Sequence, residues 1–144
     1  MGERIRIYVV EDDADIQSVL VEALEGEGYE TTGYDSASEA LAAIERQPPD
    51  VLITDLVMPG MRGEALIAWV RATAQSGAVS GLDADLPILI VSAVASARAV
   101  AHLPVQAFIA KPFELPDLLA QVAHWSRVAV RAKAPALDPA RRLP

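Results

Sequence analysis

The chain has 144 residues, of which 52% are apolar and 22% charged, enough for one domain with a sizeable core and too apolar for a disordered segment. The absence of cysteine excludes disulfides and thiolate chemistry, and no apolar run approaches the ~20 residues of a membrane span. A net charge of −8 argues against non-specific nucleic-acid binding, and Glu3 and Arg6 interrupt the start where a signal peptide would be apolar, so a soluble cytoplasmic protein is expected.

In chain order, IRIYVV (5–10) reads as a strand, followed by Ile16, Val19, Leu20, Ala23 and Leu24 at helical spacing up to Gly26 and Gly28. A short strand around Tyr29–Gly33 comes next. Ser36 is placed to cap a helix with Ala37, Ala40, Leu41 and Ile44 on its apolar face, which stops before Pro48-Pro49. VLIT (51–54) is a continuous apolar strand, and a helix is expected from about Gly63 to Gln75. A polar, glycine-containing loop then leads to PILIVSA (87–93) and VQAFIA (105–110), both strand-like. The last helix runs from Glu114 to about Val130, with Leu115, Leu118, Leu119 and Val122 facing in. The final fifteen residues carry four basic side chains against Asp138, a net of +3 that leaves −11 for the rest. Residues 1–130 are thus expected to form the domain, and 131–144 a flexible tail.

Strands that are apolar on both faces and alternate with helices imply a parallel sheet covered on both sides. Ligands of such sheets bind beyond the carboxyl ends of the strands. There the first strand ends in Glu11, Asp12 and Asp13, the third in Asp55, the fourth in Ser92 and the fifth in Lys111. Crowded carboxylates raise one another's pKa unless a cation compensates. Oxygen ligands without His or Cys suit a hard ion such as Mg²⁺. With Lys111 as a second positive charge and Ser92 as a hydroxyl donor, the group suits phosphoryl transfer by positioning and charge neutralisation. Lys111 and Lys133 are the two lysines of the chain, so Lys111 is the sole lysine of the body.

The stretches VVEDDADI, PDVLITDLVMPGMRGEAL, PILIVSA and AFIAKPFELPDLL span about residues 5 to 128. In this order, each at a strand end, they resemble the response regulator receiver domain of the CheY-like superfamily, of single-domain type. The resemblance implies the (βα)5 flavodoxin-like receiver fold, five parallel strands with helices on both faces. It makes Asp55 the phosphoryl acceptor, Glu11 and Asp12 the acidic pair, and the Val57 backbone carbonyl a third ligand of Mg²⁺ beside Asp12 and Asp55. Glu11 would act more through water. Ser92 would sense the phosphoryl group, with Lys111 as the family's lysine, Phe108 at the aromatic switch position and a cis peptide before Pro112. Two spacings depart from the family. Asp55 to Ser92 is long, with the excess in AQSGAVSGLDADL, a surface loop insertion. Ser92 to Lys111 is short, which implies a shortened fourth helix within Ser96–His102.

Other residues read more plainly. Asp13 suits a helix start. Ser92 has a rival reading as a small polar strand-end residue, and Phe108 one as plain core. His102 and His124 lack metal-ligand spacing, and Trp69 and Trp125 fit helical packing. DDADIQSVLVE lacks the glycine of an EF-hand turn.

The expected function is that of a phospho-acceptor in a two-component phosphorelay. A sensor histidine kinase or histidine phosphotransfer protein would phosphorylate Asp55 with Mg²⁺, and output would be by contact with a downstream protein. No nucleic-acid or membrane partner and no separate substrate turnover are expected. The alternative is a pseudo-receiver that binds partners without phosphorylation. A phosphoaspartyl hydrolase of the haloacid dehalogenase type ranks last, because Val57 stands where its second Asp would be.

Overall fold

A computed structural model describes residues 4–93 and 100–133. The elements are β1 (Arg6–Val10), α1 (Ala14–Gly26), β2 (Glu30–Tyr34), α2 (Ala37–Arg46), β3 (Val51–Thr54), α3 (Gly63–Ser76), β4 (Ile88–Ser92), β5 (Ala107–Ala110) and α4 (Leu115–Lys133). The strands form one parallel sheet in the order β2-β1-β3-β4-β5. Its centre is β1, β3 and β4, whose side chains are buried on both faces.

The period-2 alternation of strand side chains divides the core. Tyr8, Val10, Leu52, Ile88 and Ile90 point to the face covered by α2 and α3. Ile7, Val9, Val51, Ile53, Leu89 and Val91 point to the face covered by α1 and α4. Each such fully buried aliphatic side chain contributes about 1.5–3 kcal/mol, so a central strand can slip by one residue only at a large cost. The first two helices start where their sequences indicate. Asp13 caps α1, its side chain accepting from the amides of Asp15 and Ile16, and Ser36 caps α2 by accepting from the Glu39 amide at 3.2 Å.

Three features differ in detail from the sequence expectation. Val19 has helical spacing but is 48% exposed, because the inward stripe of α1 is centred on Leu20 and Leu24. The inserted loop after α3 is anchored rather than free: Leu82 and Leu86 are buried in the core. Finally, α4 continues to Lys133, so the expected boundary at residue 130 falls inside a helix, and residues 134–144 lie outside the described residues. The short fourth helix of Ser96–His102 also lies largely outside them. Its described end is a turn in which the Leu103 amide donates to the Val100 carbonyl at 3.0 Å. Among the described residues, no helix is long and apolar enough to cross a membrane.

Candidate functional site

In this strand order the chain reverses direction of winding between β1 and β3, and the crevice of a doubly wound sheet opens beyond their carboxyl ends. The Asp55 amide donates to the Val10 carbonyl at 3.0 Å, continuing the β1–β3 ladder to the first residue past each strand. That register brings the two acidic strand ends side by side. Glu11, Asp12 and Asp55 each offer a carboxylate oxygen within 4.8 Å of the others'. Glu11 and Asp55 are buried, at 2% and 6% exposure, whereas Asp12 is exposed.

Lys111 is the positive charge these acids face. Its Nζ donates to Asp55 Oδ2 at 2.8 Å and to Glu11 Oε1. The backbone below the ammonium is held where the Lys111 amide donates to the Ser92 carbonyl at 2.9 Å, and the Lys111–Pro112 peptide that follows is cis. The other oxygen of Asp55, Oδ1, accepts from the amides of Leu56 at 2.6 Å and Val57 at 3.2 Å. Glu11 Oε2 accepts from the Asp13 amide at 3.1 Å.

Of the three groups, Glu11 and Lys111 are pushed up and Asp55 down. Burial pushes Glu11 above the ordinary carboxylate value despite Lys111 and the Asp13 amide, and the nearby Asp55 charge adds to the rise. Burial also opposes ionisation of Asp55, but Lys111, the Ser92 hydroxyl and the Val57 amide together hold it below its usual range. Burial disfavours the Lys111 ammonium, yet its two carboxylates more than offset this and raise its pKa. Three carboxylates thus crowd around a single ammonium.

Ser92 is fully buried and its Oγ completes no hydrogen bond among the described residues, although it lies near enough to Asp55 to help lower its pKa. A buried hydroxyl left open in this way is uncommon and has spare donor capacity beside the carboxylate. Phe108 lies elsewhere. It sits on β5 in register with Ile90, is half-buried against the core under α2 and α3, and borders a recess of about 170 Å³ with Val100, Leu103 and Val105. Val57 turns its amide to Asp55, while its side chain is 56% exposed at the rim. His102 and His124 are exposed, and Trp125 stacks edge-on against His124 with ring centroids 4.7 Å apart.

Sequence reasoning missed Gly63. A Cβ at this first residue of α3 would lie 2.2 Å from the Asp55 carbonyl oxygen and 2.8 Å from Leu56 Cα. Glycine lets α3 start against the backbone of Asp55, where the Gly63 amide donates to the Leu56 carbonyl at 3.1 Å. The signal was a glycine at a helix start within PGMRGEAL.

The family model for the response regulator receiver domain matches residues 7–123, and the chain belongs to this family. It is 33% identical over 119 residues to the DNA-binding transcriptional regulator NtrC of Salmonella typhimurium, covering 81% of this chain and 24% of that protein. The chain thus spans about a quarter of that relative's length. Among solved structures, it superposes on a protein described as a response regulator from Chloroflexus aurantiacus with a TM-score of 0.76 and 30% identity, covering 87% and 99% of the two chains. The receiver domain of a Pseudomonas aeruginosa sensor histidine kinase shares the fold at a TM-score of 0.74 and 23% identity, with 87% and 99% covered. That structure holds a magnesium ion in its active-site cleft.

Proposed function

We propose that the chain is a phospho-acceptor of a two-component phosphorelay, with Asp55 as the residue phosphorylated. The observation that carries this reading is the setting of Asp55: buried, held at both oxygens by Lys111 and backbone amides, and adjacent to an unsatisfied Ser92 hydroxyl. In the transfer, the Asp55 carboxylate attacks the phosphorus of a phosphohistidine. The new oxygen–phosphorus bond forms as the phosphorus–nitrogen bond breaks, and the imidazole leaves. The chain's contribution is to hold the nucleophile in line and to offer donors where charge develops. Lys111 shifts from bridging two carboxylates to contacting the phosphoryl oxygens, and Ser92 supplies its open donor.

The residues fit Mg²⁺: three carboxylates within 4.8 Å beside a single ammonium, and no nitrogen or sulfur ligand. Asp12, Asp55 and the Val57 carbonyl would hold the ion, with Glu11 acting through water. When bound, it supplies charge neutralisation for the phosphoryl oxygens. The partners on this reading are a sensor histidine kinase or histidine phosphotransfer protein upstream and a protein target downstream. Phe108 takes the switch role on β5, and the chain turns over no substrate but its own phosphoryl group, in the cytoplasm.

Incubation with acetyl phosphate and Mg²⁺, followed by intact-mass spectrometry, tests this. Wild type is expected to gain one phosphoryl group and Asp55→Asn none. Equal labelling of both removes Asp55 as the acceptor. A wild type that stays unlabelled by acetyl phosphate and by phosphorylated kinases leaves a phosphorylation-independent binding module.

A further inference from the structure

The Asp12 carboxylate makes no hydrogen bond or ion pair among the described residues. Its direction is therefore set by the backbone that carries it, and that backbone is gripped from outside the acid cluster. Gln17, one turn into α1, turns its side-chain amide back over the strand end. Its Nε2 donates to the Glu11 carbonyl at 2.8 Å and to Asp35 Oδ1 at 2.9 Å, which uses both of its hydrogens. The Glu11 carbonyl belongs to the peptide leading into Asp12. On the other side, the Glu11 amide donates to the Tyr34 carbonyl at 3.0 Å. The backbone of the residue before Asp12 is thus fastened through its amide directly to the end of β2, and through its carbonyl to Gln17, which in turn bonds Asp35 in the loop after β2.

Gly33 on β2 makes room for this arrangement. A Cβ there would lie 2.3 Å from Gln17 Oε1, 2.7 Å from Cδ and 2.8 Å from Cγ. Gly33 is not among the glycines with positive φ, so the requirement is for space and not for backbone conformation. Any larger residue evicts the Gln17 side chain, which is flexible and can move aside.

We propose that Gln17 is a positioning residue for the cation site: through the Glu11 carbonyl it fixes the direction in which Asp12 presents its carboxylate. The proposal rests on the Mg²⁺ reading given above. The neutrality of the amide matters. A lysine or arginine at this position would also donate to the carbonyl, but its charge would compete for the acids with a bound cation, whereas Gln17 orients without competing. Groups that orient a metal ligand from outside the coordination sphere typically change metal affinity by 10–100-fold when lost.

The test is Mg²⁺ titration of the unphosphorylated full chain by calorimetry, with the unfolding midpoint in EDTA as a second readout. Gln17→Leu is expected to weaken Mg²⁺ binding about tenfold. Gly33→Ala is expected to do the same without altering any polar group, because it displaces the side chain. The double variant should bind no more weakly than either single one, since both remove the same contact. Asp15→Ala, on the same helix turn, serves as the control with unchanged affinity. Wild-type affinity in both single variants, or a lowered midpoint with unchanged affinity, overturns the proposal. If wild type binds no Mg²⁺, the metal reading itself fails. Amide exchange at Asp12 in EDTA then decides whether Gln17 holds this backbone: faster exchange in both variants supports it, and unchanged exchange overturns it.

Discussion

Lys111 and Arg71 are both half-buried cations, one at each edge of the same sheet, and their partners differ in kind. Lys111, at the carboxyl edge, is bonded to two side-chain carboxylates. Arg71 lies at the amino edge, on α3. Its guanidinium donates to the carbonyls of Ala84 at 3.1 Å, Leu86 at 2.8 Å and Pro104 at 3.0 and 2.9 Å, and to Gln106 Oε1 at 3.0 Å. Main-chain carbonyls at strand entrances are fixed by the fold, so Arg71 fastens the inserted loop and the approach to β5. Carboxylates can exchange one cation for another. Burial lowers the Arg71 pKa, only partly offset by Asp85 and Asp83, whereas the acids raise that of Lys111. The amino edge is a clamp with fixed partners, and the carboxyl edge is an electrostatic balance that a ligand can change.

The sharpest way to break this comparison is to remove each cation. Lys111→Met leaves two buried carboxylates facing each other, and losing one partner of such a group costs about 3 kcal/mol at neutral pH without metal. Urea unfolding should show that much lost, with a large part regained on adding Mg²⁺ or on lowering the pH to let a carboxylate take up a proton. Failure of both to restore stability would show that the site is no exchangeable balance. The alkaline limb carries the opposite sign. The folded-state pKa of Lys111 is raised above 10.5, so its contribution is complete below that pH and is lost as pH rises through the folded value. That loss should be absent from Lys111→Met and present in Arg71→Ala.

Arg71→Ala is expected to cost about 2 kcal/mol, since its lost bonds are charge-assisted but several of their carbonyls remain open to water. Neither Mg²⁺ nor a lower pH should recover it, and Mg²⁺ affinity should be unchanged. Recovery by Mg²⁺ would mean that the two edges communicate, and the contrast would fall.

The same contrast explains what was legible in the sequence. The carboxyl edge announces itself through side chains: acids directly after apolar strands, and a lysine alone in the body of the chain. The central strands were visible because burial on both faces leaves an unbroken apolar run, and α1 and α2 because Asp13 and Ser36 mark their starts. The edge strands showed less, as ETTGY of β2 has no apolar run and its bounds shifted by one residue. Arg71 was invisible because its partners are backbone carbonyls, which every residue has. Gly63 and the Gln17–Gly33 contact depend on how neighbouring elements approach, which spacing along one chain does not encode. The anchoring of the inserted loop by Leu82 and Leu86 was hidden for a similar reason: two leucines in a polar stretch have no period.

The smallest effect expected concerns the rim of the carboxyl edge, where Val57 stands 56% exposed two residues after Asp55, the proposed acceptor. Loss of phosphate from an aspartyl phosphate needs a water in line with the phosphorus, so a side chain beside that path acts by orienting or excluding it. Valine can only exclude. Its amide is committed to Asp55 Oδ1, so the side chain has little freedom to swing away. By the receiver resemblance, Val94, two residues after Ser92 and outside the described residues, stands on the other side of that path as a second shield. Replacing Val57 by asparagine gives a water a hydrogen-bond partner and should leave the bonds of Lys111 and the backbone amides to Asp55 intact. Dephosphorylation of Val57→Asn should be about threefold faster than wild type, a change of roughly 0.6 kcal/mol in the barrier. A time course of phosphate loss in constant Mg²⁺ measures it, with Val94→Glu in parallel. Equal rates for all three proteins would mean that both valines merely cover the edge of the core. The rate would then be set by Lys111 and the acids alone, and the carboxyl edge would owe its behaviour to charge with no contribution from its apolar rim.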